Sequence, residues 1–87
     1  MIIVVNHKIN NPGDFWASAQ QSLPQLPKAG AQRVIQVLPN NSMTEATCLW
    51  EANTIEALDG YLRSKIHDCS AERYHEVDTA HAMGFTA

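Results

Sequence analysis

The first nine residues, MIIVVNHKI, constrain the fold more than any other stretch of this chain. Ile3 and Val5 fall on one alternating set and Ile2 and Val4 on the other, so a strand built from them is apolar on both faces. Such a strand needs cover on both sides and belongs in the middle of a sheet. The demand is severe in a chain of 87 residues, which has room for one domain and buries only roughly 60 % of the surface its unfolded form exposes. A core this thin is ordinarily supplemented by a disulfide, a metal or a second chain.

Behind the strand, Asn11-Pro12-Gly13-Asp14 reads as a helix start. Asn11 serves as the cap, Pro12 suits the first helical position and Asp14 complements the positive helix end. Phe15, Trp16, Ala19 and Leu23 then recur on one side, and the helix must stop before Pro24. Residues 23–27 form an irregular exit. Residues 31–38 return to strand character, Pro39-Asn40-Asn41-Ser42 makes a turn, and a strand over about 44–52 completes a hairpin. Asn53 and Thr54 offer a second cap, with Glu56 three residues after Asn53, and Ile55, Leu58, Leu62 and Ile66 trace the clearest helical stripe in the chain. Residues 72–80 alternate as a last strand before a short tail over 81–87.

Strand, helix, hairpin, helix, strand is the ferredoxin-like β-α-β-β-α-β order, here one domain over residues 1–87. It gives a four-stranded antiparallel sheet with both helices on one face. Alternation directs Ile3, Val5, Ile35, Val37, Leu49, His75 and Val77 toward the helices. It sends Val4, Asn6, Val34, Gln36, Cys48, Trp50, Tyr74, Glu76 and Asp78 to the open face. An apolar and aromatic patch of that size marks an interface or a ligand site. The expectation is therefore a homodimer packed through the non-helical faces, enclosing a barrel that takes a small apolar or aromatic ligand between the sheets.

Composition removes several other classes. The apolar runs are far shorter than the ~20 residues needed to cross a bilayer, so no membrane span is expected. The net charge is −3 and the six Lys and Arg residues are scattered, which removes the electrostatic footprint of nucleic-acid binding. An RNA-recognition domain would also need paired aromatics on its central strands. Cys48 and Cys69 are too few for an iron–sulfur ferredoxin and lack the C-x-x-C spacing of a soft-metal carrier. They read as small buried hydrophobes without a neighbourhood that would activate a thiol. With no basic leader before the first apolar run, the expected compartment is the reducing cytoplasm.

The stretch Thr47-Cys48-Leu49-Trp50-Glu51-Ala52, running into Thr54-Ile55-Glu56-Ala57-Leu58, resembles small single-domain members of the dimeric α/β-barrel superfamily, as does Arg73-Tyr74-His75-Glu76-Val77-Asp78. The resemblance covers nearly the whole chain. It implies a dimer and leaves the function open among cofactor-free and haem-degrading monooxygenases, isomerase-like and chlorite-dismutase-like enzymes, a nickel-binding group and proteins without an assigned role. No cofactor is strongly implied.

Two candidate sites follow. Asn6, Gln36, Trp50, Tyr74, Glu76 and Asp78 would line the barrel, with Glu76 or Asp78 as a base whose pKa is raised among aromatics, giving a monooxygenase- or isomerase-like enzyme. His7 with Glu76 would alternatively hold nickel or another transition metal, with His67, His75 and His81 as further donors. None of the four histidines shows a diagnostic metal spacing.

Overall fold

The computed structural model describes residues 1–28, 30–66 and 68–84. Its elements run β1 (Ile2–Ile9), α1 (Pro12–Ser22), β2 (Arg33–Pro39), β3 (Glu45–Glu51), α2 (Ile55–Ile66) and β4 (Ser70–Glu76), with a 3-10 turn at Leu23–Gln25. The strands form one sheet in the order β2-β3-β1-β4, every pair antiparallel. This is the ferredoxin-like topology, and the doubly apolar β1 occupies the interior position its sequence requires. His67 and residues 85–87 lie outside the described residues. Among those described, no helix is long and apolar enough to cross a membrane.

Local chemistry sets the helix ends. Asn11 Oδ1 accepts from the Asp14 backbone N–H at 3.2 Å while Asn11 Nδ2 donates to Asp14 Oδ2 at 3.0 Å, and Pro12 opens the first turn where no N–H is needed. α1 ends at Ser22, two residues before Pro24. At α2 the cap is Thr54, whose Oγ1 accepts from Ala57 N–H at 3.0 Å. Asn53 is used elsewhere, its Oδ1 accepting from Gln32 Nε2 at 2.8 Å. Arg63 and Lys65 in the last turn complement the negative helix end.

The helices cover one sheet face. α2 buries Leu58, Tyr61, Leu62 and Ile66 against Ile3, Val5 and Ile9 of β1 and Ala46, Cys48 and Trp50 of β3, with Phe15 entering from α1. Ile3, Leu58 and Val5 are the largest side chains wholly removed from water, each contributing roughly 1.5–3 kcal/mol.

The ladder corrects the face assignment drawn from alternation. Ile3 stands opposite Trp50 and Glu76, Val5 opposite Cys48 and Tyr74, and His7 opposite Ala46 and Glu72. Directly opposed residues share a face, so Cys48, Trp50, Tyr74 and Glu76 lie on the helix side, as does Val34 opposite Trp50. Leu49 and His75 both oppose Val4 and belong to the open face. In β3 the inward set is Ala46, Cys48 and Trp50, whose indole outweighs the single Leu49 of the other set. In β2 a bulge between Val34 and Gln36 changes the phase, so Val34 and Val37 both pack on the core while Gln36 stays outside. β4 begins two residues earlier than expected, at Ser70, and ends at Glu76. Asp78 is in a turn, where Oδ1 accepts from Ala80 N–H at 3.0 Å and Oδ2 lies 2.7 Å from His81 Nδ1.

Candidate functional site

The β1/β4 register places two polar side chains in the core. His7 Nδ1 lies 2.9 Å from Glu72 Oε2, and the two side chains are only 3 % and 1 % exposed. Ser70, two residues before Glu72 and therefore on the same face, donates its hydroxyl to the same oxygen. Burial alone would push the Glu72 carboxyl up, but the hydrogen bonds from His7 and Ser70, with the charges of His7 and Arg63, outweigh it and hold the group below the ordinary glutamate value. Glu72 is thus ionised and has no proton to give. With Glu72 ionised, the proton in the contact sits on His7 Nδ1, and Nε2 is the ring nitrogen left outside the pair. Phe15 of α1 packs edge-on against the imidazole, 5.1 Å between centroids at 67°, and fixes the ring plane from the other side. Ser70 is bonded to the carboxylate and not to the imidazole, so the trio lacks the serine–imidazole contact of a nucleophile with its base.

His7 lines a cavity of about 40 Å³ between the sheet and the helices, whose wall includes Phe15, Leu23, Cys48, Trp50 and Tyr61. The Trp50 and Tyr61 rings meet at 6.2 Å and 61°. Trp50 Nε1 and Tyr61 OH are both buried and have no hydrogen-bond partner among the described residues. A buried donor left in that condition costs about 1–3 kcal/mol, and native structures hold few of them. Burial raises the Tyr61 hydroxyl, which keeps it a neutral donor. Burial likewise pushes the Cys48 thiol up to about 12, against a smaller opposing hydrogen bond from the Leu38 backbone, so Cys48 is an inert wall and not a nucleophile. In the first half of α1, Trp16 Nε1 donates to Met43 O at 3.0 Å and ties the helix to the β2–β3 turn.

The residues expected to line a barrel do not converge. Trp50 is inside the helix-side cavity. Tyr74 faces inward, but its hydroxyl is spent on Asp59 Oδ1 at 2.6 Å. Asn6 is on the open face, where Oδ1 accepts from Thr47 Oγ1 at 2.8 Å, and Gln36 is exposed on the same face. Glu76 and Asp78 are exposed at and beyond the end of β4. The His7 and Glu76 pair is also separated, since Glu76 stands opposite Ile3, four strand positions or roughly 13 Å from His7. Glu72 takes the place that Glu76 was expected to fill. His75 is exposed on the open face, His81 is paired with Asp78, and no group of three or more His, Cys, Asp or Glu gathers among the described residues.

Glu72, Ser70, Tyr61 and Phe15 are the site residues that sequence reading passed over. Tyr61 was within reach, three residues after Leu58 on the buried stripe. Ser70, Glu72 and Tyr74 do alternate, but a polar inward set cannot be separated from a solvated one until its partner strand is known. Comparison with protein-family models, with curated proteins and with solved structures gives no match.

Proposed function

We propose that this protein binds a small, largely apolar molecule carrying an oxygen acceptor in the space between its sheet and its helices, and moves a proton on it with His7 as the base. The observation that carries the reading is one cavity wall that holds both a buried imidazole hydrogen-bonded to a carboxylate and two buried donors without acceptors among the described residues. His7 Nε2 takes a proton from carbon or oxygen of the ligand. The electron pair left behind moves onto the ligand oxygen, which accepts hydrogen bonds from Trp50 N–H and Tyr61 O–H, and return of the proton at a second atom completes an isomerase-type step. At about 40 Å³ the cavity has room for a water molecule, so a ring-sized ligand enters only as the side chains packed around it give way.

The open sheet face is the proposed seat of a second copy. Val4 and Leu49 are directly opposed and half-buried at its centre, and Leu38 is 54 % exposed beside them. Glu45 and Glu51 lie on β3, with Lys8 on β1 and Arg73 and His75 on β4. A two-fold axis along the strands sets β3 of one copy over β1 of the other, Glu45 against Lys8 and Leu49 against Val4, a self-complementary arrangement. This leaves the dimer without the aromatic anchors that the sequence had assigned to it, and moves the ligand from between the sheets to the interior of each chain.

The test uses 1-phenyl-1,3-butanedione as a neutral aromatic probe. It should shift the indole N–H resonance of Trp50, and wild-type protein should accelerate exchange of the probe's central protons in D₂O. His7→Gln should retain the shift and lose about a hundredfold of the acceleration. A Trp50 resonance unmoved at millimolar probe, or exchange indifferent to His7→Gln, overturns the reading.

A further inference from the structure

Two residues of α2 belong to two cavities at once. Tyr61 and Lys65 line the small interior cavity and also an outer groove of about 500 Å³ on the opposite side of α2, where Lys28, Glu56, Gly60 and Ser64 complete the wall. Lys65 Nζ stands 5.8 Å from the centroid of the Tyr61 ring, so the two side chains lie together where groove and interior share lining residues. The far wall is held in place by backbone. Lys28 and Ala31 exchange two hydrogen bonds of 3.0 Å that close a turn, and Gly30 in that turn approaches Ala57 of α2 so closely that a Cβ would lie 2.2 Å from the Ala57 carbonyl oxygen. Lys28 thus extends from a backbone-closed turn packed on α2 and lines the same groove as Lys65.

We propose that this groove is the mouth of the interior site and that it holds the carboxylate of an apolar acid whose body enters past Tyr61, an inference that rests on the proton-transfer reading above. Among the described residues, neither Lys28 nor Lys65 is within ion-pair distance of a carboxylate, and the two ammonium groups outnumber the single Glu56 in the wall of a chain that is acidic overall. Tyr61 joins the two compartments chemically as well as spatially. Its hydroxyl is buried and has no partner among the described residues, so a ligand passing from groove to interior meets a donor with no competing acceptor there. Displacing Lys65 from the Tyr61 ring onto a carboxylate exchanges a weak cation–π contact for a charge-assisted hydrogen bond and frees the ring to turn.

Benzoylacetate and 1-phenyl-1,3-butanedione differ only by a carboxylate in place of an acetyl group and so separate the charge from the body. Binding followed by the Trp50 indole N–H should be at least tenfold tighter for benzoylacetate, and that advantage should vanish in Lys65→Met and shrink in Lys28→Met, with thermal unfolding unchanged. Equal affinity for the two probes, or a loss in Lys65→Met that is the same for both, overturns the carboxylate assignment while leaving the interior site standing. Failure of both probes to bind overturns the interior site and this inference with it.

Discussion

His7 Nδ1 and Glu72 Oε2 meet at 2.9 Å across directly opposed positions of β1 and β4, closed off from water by α1 and α2. The two partners do not depend on one another equally. Taking away the Glu72 carboxylate leaves the His7 N–H with at best an uncharged acceptor, a loss of about 1–3 kcal/mol. Taking away His7 leaves an ionised carboxylate in the core with only the Ser70 hydroxyl, which costs about 3–5 kcal/mol. Urea unfolding at pH 7 should therefore place His7→Leu well below Glu72→Gln in stability. Equal losses would mean that the pair is wetter than its geometry requires.

Stability should fall at both ends of the pH scale for identifiable reasons. Glu72 is held low because its hydrogen bonds outweigh burial, and Asp59 is held low chiefly by the hydrogen bond from Tyr74, with Arg63 adding to it against a smaller desolvation. As pH drops, the unfolded chain protonates these groups first and binds more protons than the folded chain. The stabilisation is present above the ordinary carboxyl range and is lost as pH falls through the lowered folded values. At the alkaline end the order reverses. Burial first, then the bond to Asp59, raises Tyr74, so the unfolded chain releases its proton first and stability declines above the ordinary value of 10.0. Urea midpoints should peak near neutrality, with Glu72→Gln flattening the acid limb and Tyr74→Phe the alkaline one. An acid limb unaltered in Glu72→Gln would remove Glu72 from its cause.

The order of elements was legible because each boundary has local chemistry: the Asn11-Pro12 cap, the stop before Pro24, and the stripe from Ile55 to Ile66. The central place of β1 was legible from its two apolar sets. The site was not, because it depends on which face of each strand looks inward, and a shift of one residue exchanges the faces. β3 is apolar on both sets, with Trp50 on one and Leu49 on the other, and β4 turns Ser70, Glu72 and Tyr74 inward while Ala71, Arg73 and His75 look out. Hydrophobicity cannot rank those two sets. His7 was named from the sequence as a metal ligand beside Glu76, but the carboxylate it meets is Glu72, brought to it by a pairing 65 residues away in the chain.

The open-face dimer makes its own demand on Leu49. In the two-fold arrangement the side chain meets Val4 of the second copy at the centre of the interface, where a charge has no partner. Leu49→Lys should give a folded monomer by light scattering under conditions where the wild type is dimeric, because the residue lies outside the helix-covered core. A wild-type protein that is monomeric at about 100 μM, or a Leu49→Lys protein that stays dimeric, would require another surface.

Gly30 and Gly60 both border the outer groove, yet substitution by alanine should move stability in opposite directions. Gly30 has φ +89°, and a Cβ there would meet the Ala57 carbonyl oxygen at 2.2 Å and Tyr61 Cβ at 3.2 Å. The left-handed backbone costs a non-glycine residue roughly 1–2 kcal/mol. The helix carbonyl cannot give way without disturbing α2, adding roughly 1–3 kcal/mol. Gly60 sits within α2, and a Cβ there meets nothing within 4 Å, so alanine removes the backbone-entropy penalty of glycine and gains about 1 kcal/mol. Thermal unfolding of the two single variants checks both signs. If Gly30→Ala were tolerated, the turn that carries Lys28 would not be fixed against α2, and the groove would lose the rigid wall on which its carboxylate selectivity depends.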